Sequence, residues 1–209
     1  MILDPEVLEH DGGDRARPVL VWRFPTAVAS ISTAILGGGV GARSWIVNVE
    51  VPRTYDRTDV ADHLAEVAAG AGCTGAGVGL VTAASVGAFT VGHDGDVEAV
   101  ATVGLAQPTW AAGPDDSWSP WRPGTVNIVA WVPVALTGAA LVNAVATATE
   151  AKTQALVEAG VPGTGTASDA VCVCCPTSAE GGELFAGLRS PWGARLARAV
   201  HAAVRPGIT

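Results

Sequence analysis

Charge is scarce in this chain. Asp, Glu, Lys and Arg make up only 15% of the 209 residues, and the 12 basic residues are outnumbered by 20 acidic ones, for a net charge of −8. That balance argues against a nucleic-acid surface and against docking on an anionic membrane. Long apolar runs are missing too. None reaches the roughly 18 uninterrupted residues that span a bilayer. The start, MILDPEVLEHDGGDRARP, is acidic and has no basic segment followed by an apolar one, so no secretory signal is expected. Cysteine is limited to four positions: Cys73, and the cluster Cys172, Cys174 and Cys175. No histidine stands near that cluster, so a zinc set is not indicated. The run VCVCC reads as a strand whose cysteines act as small buried hydrophobes in a reducing compartment. The four histidines, His10, His63, His93 and His201, have no metal-ligand spacing to one another. No metal or bound cofactor is expected of the protein.

What is present is Ala, Gly and Val, with 49% hydrophobic residues. That suits one domain with a sizeable core. We read 1–18 as a flexible N-terminal tail and 19–209 as the domain. Residues 19–33 read as two strands broken at Pro25, and 45–51 as an alternating strand with one buried face. Helices are expected at 58–70, capped by Thr58 or Asp59, at 137–159, and at 190–204 with Pro191 in its first turn. Strands are expected at 77–84, 124–134 and through ASDAVCVCC. Asp94-Gly95 between two alternating runs predicts a hairpin over 88–104. Residues 107–124, with Trp110, Trp118 and Trp121, read as a long loop. The sum is α+β: a single domain of mainly antiparallel sheet packed against about three helices.

Few motifs carry chemistry. LGGGVGARS leads into a strand rather than a helix, so it lacks the helix N-terminus that holds a pyrophosphate. A tight turn, or a close approach of backbone to a ligand, is expected there. No nucleophile elbow appears, since Ala83 stands where its first glycine should be. The telling stretch is NAVATATEAKTQALVEAG, 143–160. Counting 100° per residue from Leu141 puts Val145, Ala148 and Leu156 in one stripe, and Lys152 falls at about 20°, inside it. Glu150 falls at about 180°, on the opposite face. In a chain with so few lysines, one lies on the core-facing side. An unpaired buried ammonium costs several kcal/mol, so Lys152 needs an acidic partner or a cavity. A buried ion pair or a snorkelling stem would answer that need as well as an active site. Thr149 shares its side, and two Gly-rich segments bring polar groups: Thr166, Ser168 and Asp169 in GTGTASDA, and Thr125 with Asn127 in GTVN. Hydroxyls, an amide and a carboxylate beside small residues suit binding and hydrolysis of a polar amide.

Taken in order, SISTAILGGG, WIVNVEVP, GLVTAA, TVGLAQP, GTVNIVAWV, TATEAKTQALVEAG and GTGTASDAVCV resemble the adenosylcobinamide amidohydrolase family. The resemblance runs from about residue 20 to 204. It departs at VCVCC, where plainer aliphatics are expected, and at GLAQP, where an Asn often precedes the Pro. It implies hydrolysis of the amide joining aminopropanol to the corrin ring of adenosylcobinamide. The products would be adenosylcobyric acid and 1-amino-2-propanol, the acid re-entering coenzyme B12 synthesis. Cobalt would belong to the substrate. The matched stretches bring Ser30, Gly38, Gly39, Asn48, Thr82, Thr149 and Glu150 as implied substrate-binding positions. The Trp-rich segment 107–123, with Trp118 and Trp121 as the candidates, could cover the flat corrinoid, or Trp110, Trp118 and Trp121 could equally staple a long loop to the core.

Two chemistries remain open in the sequence. In one, Asp169 is the general base, and Lys152 and Asn127 polarise the carbonyl. In the other, Ser168, Thr166 or Thr125 is the nucleophile and Lys152 removes its proton. A corrinoid carrier without turnover, or an amidase for another corrinoid amide, are the rival readings. A carrier needs no buried charge. The partners expected are a small-molecule corrinoid and no nucleic acid or membrane, with homo-oligomerisation left open. The location expected is cytoplasmic.

Overall fold

The computed structural model describes residues 3–114 and 123–208. Its strands are β1 (Glu6–Asp11), β2 (Ala16–Ser32), β3 (Gly39–Glu50), β4 (Gly77–Thr82), β5 (Thr90–Asp94), β6 (Val97–Gly104), β7 (Thr125–Trp131) and β8 (Ala170–Cys175). Its α-helices are α1 (Val60–Gly70), α2 (Gly138–Glu158) and α3 (Pro191–Val204). The strands form one mixed sheet in the order β4-β3-β2-β8-β7-β6-β5, with β1 beside β2. Only β3/β4 and β7/β8 are parallel. The expected α+β class and mainly antiparallel pairing hold.

That sheet doubles over. Alternation along each strand sends one set of side chains outward and the other inward. Val19, Val21, Trp45, Val47 and Val49 pack against Leu64, Val67 and Ala68 of α1. Val126, Ile128, Ala130, Val171 and Val173 pack against α2 and α3. The inward set joins the two halves: Leu20, Trp22, Ile46 and Leu80 meet Val100, Val129, Cys172 and Cys174. Strands that are not neighbours also bond across the gap. Asn48 Nδ2 donates to Thr102 Oγ1 at 3.0 Å, and Asn127 Nδ2 to Val81 O at 3.0 Å. The result is four layers: helix, half-sheet, half-sheet, helices.

Two expectations change. Residues 19–32 are not two strands but nearly the whole of one long strand, β2. Pro25 sits exposed where the β2/β3 register shifts, between Arg23 and Val28. On its other edge β2 pairs with β1 up to Val21 and with β8 only from Ala29. A residue without an N–H is tolerated in that gap. Much of the supposed tail at 1–18 is also part of the sheet, as β1 (Glu6–Asp11) and the start of β2 at Ala16. β1 pairs with β2, and Leu3 is fully buried in the inner core. The polar letters of EVLEHD hide the strand because only one of its faces touches protein.

Other local readings hold. Thr137 caps α2 by accepting from Ala140 N–H, and Ser190 caps α3 by accepting from Gly193 N–H. The hairpin turns through Gly95 at φ +59°, which glycine adopts without strain. LGGG is a tight turn, with Gly37 and Gly39 at positive φ. Asp59 is the N-cap of α1, but its side chain makes no cap bond and pairs with Arg57 instead. Cys172, Cys174 and Cys175 are free and buried, and the first two share a face with sulfurs 3.8 Å apart. No helix among the described residues is long and apolar enough to cross a membrane.

An 11-residue helix such as α1 is unstable alone, so α1 depends on its packed face. That face includes buried His63, whose Nδ1 lies 2.8 Å from the Tyr55 hydroxyl. Burial, helped by the charges of Arg57 and His10, pushes the His63 pKa below its usual 6.5. The unfolded chain therefore binds a proton at higher pH than the native one. His63 contributes stability that is complete above about pH 6.5 and declines as pH falls below it. We predict that the thermal midpoint of the native protein falls more between pH 7 and pH 5 than that of His63→Gln. Equal falls would show that His63 titrates alike in both states.

Candidate active site

The unit β7-α2-β8 builds the site. β7 and β8 are parallel neighbours, with Asn127 opposite Ala170, so their N-terminal ends lie side by side. The crossover helix between them must run back along the sheet. Its C-terminal part thus returns to the same ends. Residues 124–126, Lys152 and 163–169 meet there, although they are distant in sequence.

Lys152 is buried on the core-facing side of α2, as its helical angle requires, and Glu150 is exposed. The buried stripe is centred nearer Ala144, Ala148 and Ala155 than expected, so Thr149 lies at its exposed margin. The Lys152 ammonium forms an ion pair with Asp169 Oδ2. Oδ2 also accepts from Thr166 N–H at 3.1 Å. Oδ1 accepts from Val126 N–H at 2.8 Å and lies 2.5 Å from Thr166 Oγ1. Each carboxylate oxygen therefore has two donor groups against it, and the Thr166 hydroxyl occupies the second place at Oδ1. Thr166 Oγ1 is also 2.6 Å from Gly124 O, so its single proton serves one of two acceptors at a time.

The pair faces a cavity of about 580 Å³, lined by Thr33, Trp110, Thr149, Thr153, Thr164 and Thr166 among others. The other hydroxyls face elsewhere. Ser168 Oγ donates to Gly124 O at 3.0 Å and lies 2.7 Å from Thr125 Oγ1. Both line a separate cavity of about 200 Å³ together with Thr82 and Tyr55. Asn127 does not reach the large cavity. Both its N–H donors are engaged between the half-sheets, by Asn48 Oδ1 at 2.9 Å and by Val81 O. Asn48 is buried in that network, and Ser30 is buried on β2 and donates to Gly41 O. Gly38 lies in the turn before β3 and Gly39 opens that strand, and neither lines either cavity. Trp118 and Trp121 lie outside the described residues. Among those residues, no three His, Cys, Asp or Glu side chains gather in a way that could hold a metal ion.

Thr33, Thr109, Trp110, Thr153 and Thr164 line the large cavity, and of these only Trp110, as part of the Trp-rich loop, is named from the sequence. One signal was available: Lys152 is the chain's only lysine, and four of these five are threonines on stretches beside it in the fold. Gly165 is required by the same geometry. A Cβ there would overlap both Asp169 Oδ2 and Lys152 Nζ.

A family model described as adenosylcobinamide amidohydrolase matches residues 4–209. A protein of that name from Methanosarcina mazei is 30% identical over 187 residues, covering 86% of this chain and 89% of its own. Another from Halobacterium salinarum is 35% identical over 215 residues, covering 97% and 87%. The solved PH0078 protein from Pyrococcus horikoshii OT3 covers 97% of this chain and 82% of its own, at 11% identity and a TM-score of 0.47.

Gly165→Ala should force the lysine away from a carboxylate that three other donors hold in place. We predict a loss of turnover of about 10²-fold, the scale of a 1 Å misplacement, with the fold retained. Turnover at the native rate would show that the ion-pair geometry is not needed.

Proposed function

Because the chain belongs to the adenosylcobinamide amidohydrolase family, we propose that it cleaves the amide between aminopropanol and the corrin ring of adenosylcobinamide. The products are adenosylcobyric acid and 1-amino-2-propanol, which fits a role in corrinoid salvage. The observation that carries this reading is the buried Lys152–Asp169 pair facing a large cavity with Thr166 against the carboxylate. A carrier has no use for it. Stability alone is a poor reason to keep such a pair, since apolar residues of similar volume commonly serve as well.

The arrangement favours a covalent route through Thr166. The Thr166 hydroxyl takes the place at Asp169 Oδ1 that a water would need, and in the other cavity Ser168 bonds to Thr125 Oγ1 and to Gly124 O. Thr166 Oγ attacks the carbonyl carbon as its proton passes to Asp169 Oδ1. The Lys152 ammonium holds the developing oxyanion. Collapse expels the amine nitrogen, which takes the proton from Asp169, and leaves the corrinoid acyl group as an ester on Thr166. The threonine no longer donates to Oδ1, so Asp169 is free to take a proton from water. The water oxygen attacks the ester carbon, the Thr166 Oγ bond to that carbon breaks, and Oγ takes the proton back from Asp169, which restores both residues and releases the acid.

Mass spectrometry of adenosylcobinamide before and after incubation tests the reaction. Native protein should yield both products, and Lys152→Met should fold and lose most turnover. An unaltered substrate with native protein would favour a carrier, and near-native turnover in Lys152→Met would make the lysine structural.

Rapid quenching tests the route. We expect an adduct heavier by the corrinoid acyl group in the native protein and none in Thr166→Ala, whose turnover is abolished. Ser168→Ala and Thr125→Ala should cost little, and Asp169→Asn roughly 10²–10⁴ in kcat. An active Thr166→Ala would return the reaction to an activated water.

A further inference from the structure

Trp110 is 53% exposed, yet the backbone around it is fixed. Thr109 N–H donates to Gly165 O at 2.8 Å, and Thr109 O accepts from Thr164 N–H at 2.9 Å. Ala111 N–H donates to Thr164 Oγ1 at 3.0 Å, and Gly113 N–H to Trp110 O at 3.0 Å. The 163–165 turn is tied in its turn to α2, where Thr153 Oγ1 donates to Thr164 O at 3.2 Å. A Cβ on Gly163 would overlap the Thr109 backbone, so the two loops touch directly. The indole therefore stands on a braced support at the cavity that holds Lys152, Asp169 and Thr166. Among the described residues it stacks on no other ring and meets no cation. Core packing does not account for it. A large flat side chain held on a braced loop beside reactive groups offers a face on which a flat ligand can stack.

We propose that Trp110 is a stacking platform for a flat conjugated face of the substrate beside the scissile amide, which rests on reading this cavity as the amide-cleaving site. Adenosylcobinamide offers two such faces, the corrin ring and the adenine of its adenosyl group. Threonines 109, 149, 153 and 164 line the same cavity and can meet polar groups at the edges of either face. The indole supplies area and orientation, while the chemistry belongs to the three residues beyond it.

The test is titration of native protein, Trp110→Ala and Trp110→Phe with adenosylcobinamide and with dicyanocobinamide, which lacks the adenosyl group, alongside kcat and KM for the adenosyl form. Loss of one stacked ring should weaken binding roughly 10-fold in Trp110→Ala. Trp110→Phe should recover most of it, and kcat at saturation should stay close to native. Equal weakening toward both corrinoids assigns the corrin face; weakening toward the adenosyl form alone assigns the adenine. Unchanged affinity in Trp110→Ala overturns the proposal. So does a loss shared equally by Phe and Ala with a lowered thermal midpoint, which would make Trp110 a brace. Native protein that binds neither corrinoid overturns it as well. Binding without hydrolysis would sink the enzymatic reading and leave the platform; hydrolysis with an unchanged KM in Trp110→Ala would do the reverse.

Discussion

The ion pair between Lys152 and Asp169 is the constraint on which the site depends. An ammonium and a carboxylate this deeply buried lose their water, and each pays a desolvation cost that only close pairing and further hydrogen bonds offset. The carboxylate has all of these: two backbone N–H groups, one hydroxyl and the ammonium. Among the described residues the lysine has a single anionic partner, and it faces a cavity. That asymmetry fixes the carboxylate and leaves the ammonium able to donate toward whatever enters. Removing either charge alone would strand the other, at roughly 3–5 kcal/mol.

Topology brings these groups together. The hydrophobic pattern places β7 and β8 between two cores, and their parallel pairing puts two Gly/Thr-rich turns side by side. The crossover helix then delivers Lys152 to the same end. The four-layer packing buries the strands on both faces, which leaves the strand ends as the place where polar backbone and side chains converge on open space. Gly165 and Gly163 permit the close approach, one beside the charged pair and one beside the loop that carries Trp110.

Much of this was legible in the sequence because it is periodic. The angle of Lys152 on its helix, the caps at Thr137 and Ser190, the hairpin at Gly95 and the alternation of VCVCC are local properties, and the structure follows them. The continuity of β2 through Pro25 was not, because a proline in a strand is acceptable only where the ladder is interrupted, and that depends on where β1 ends and β8 begins. The strand at Glu6–Asp11 was hidden for a related reason, since its polar residues look like a tail until a neighbouring strand is supplied. Asn127 looked reactive beside Thr125, and alternation does put the two on one inward face, but Asn127 sits two residues deeper, where its amide bridges the two half-sheets. Thr166, Ser168 and Asp169 were legible as a group. Their division between two cavities was not, because it depends on how a turn folds against Gly124.

The central claim is that Lys152 and Asp169 work as one unit in catalysis. A double-mutant cycle on kcat/KM for adenosylcobinamide, with Lys152→Met, Asp169→Asn and the double variant, measures that directly. If the pair acts as a unit, the double variant loses no more activity than the worse single variant, and its thermal midpoint recovers toward native because no charge is stranded. Losses that multiply, or a double variant that turns over substrate at the native rate, would contradict it.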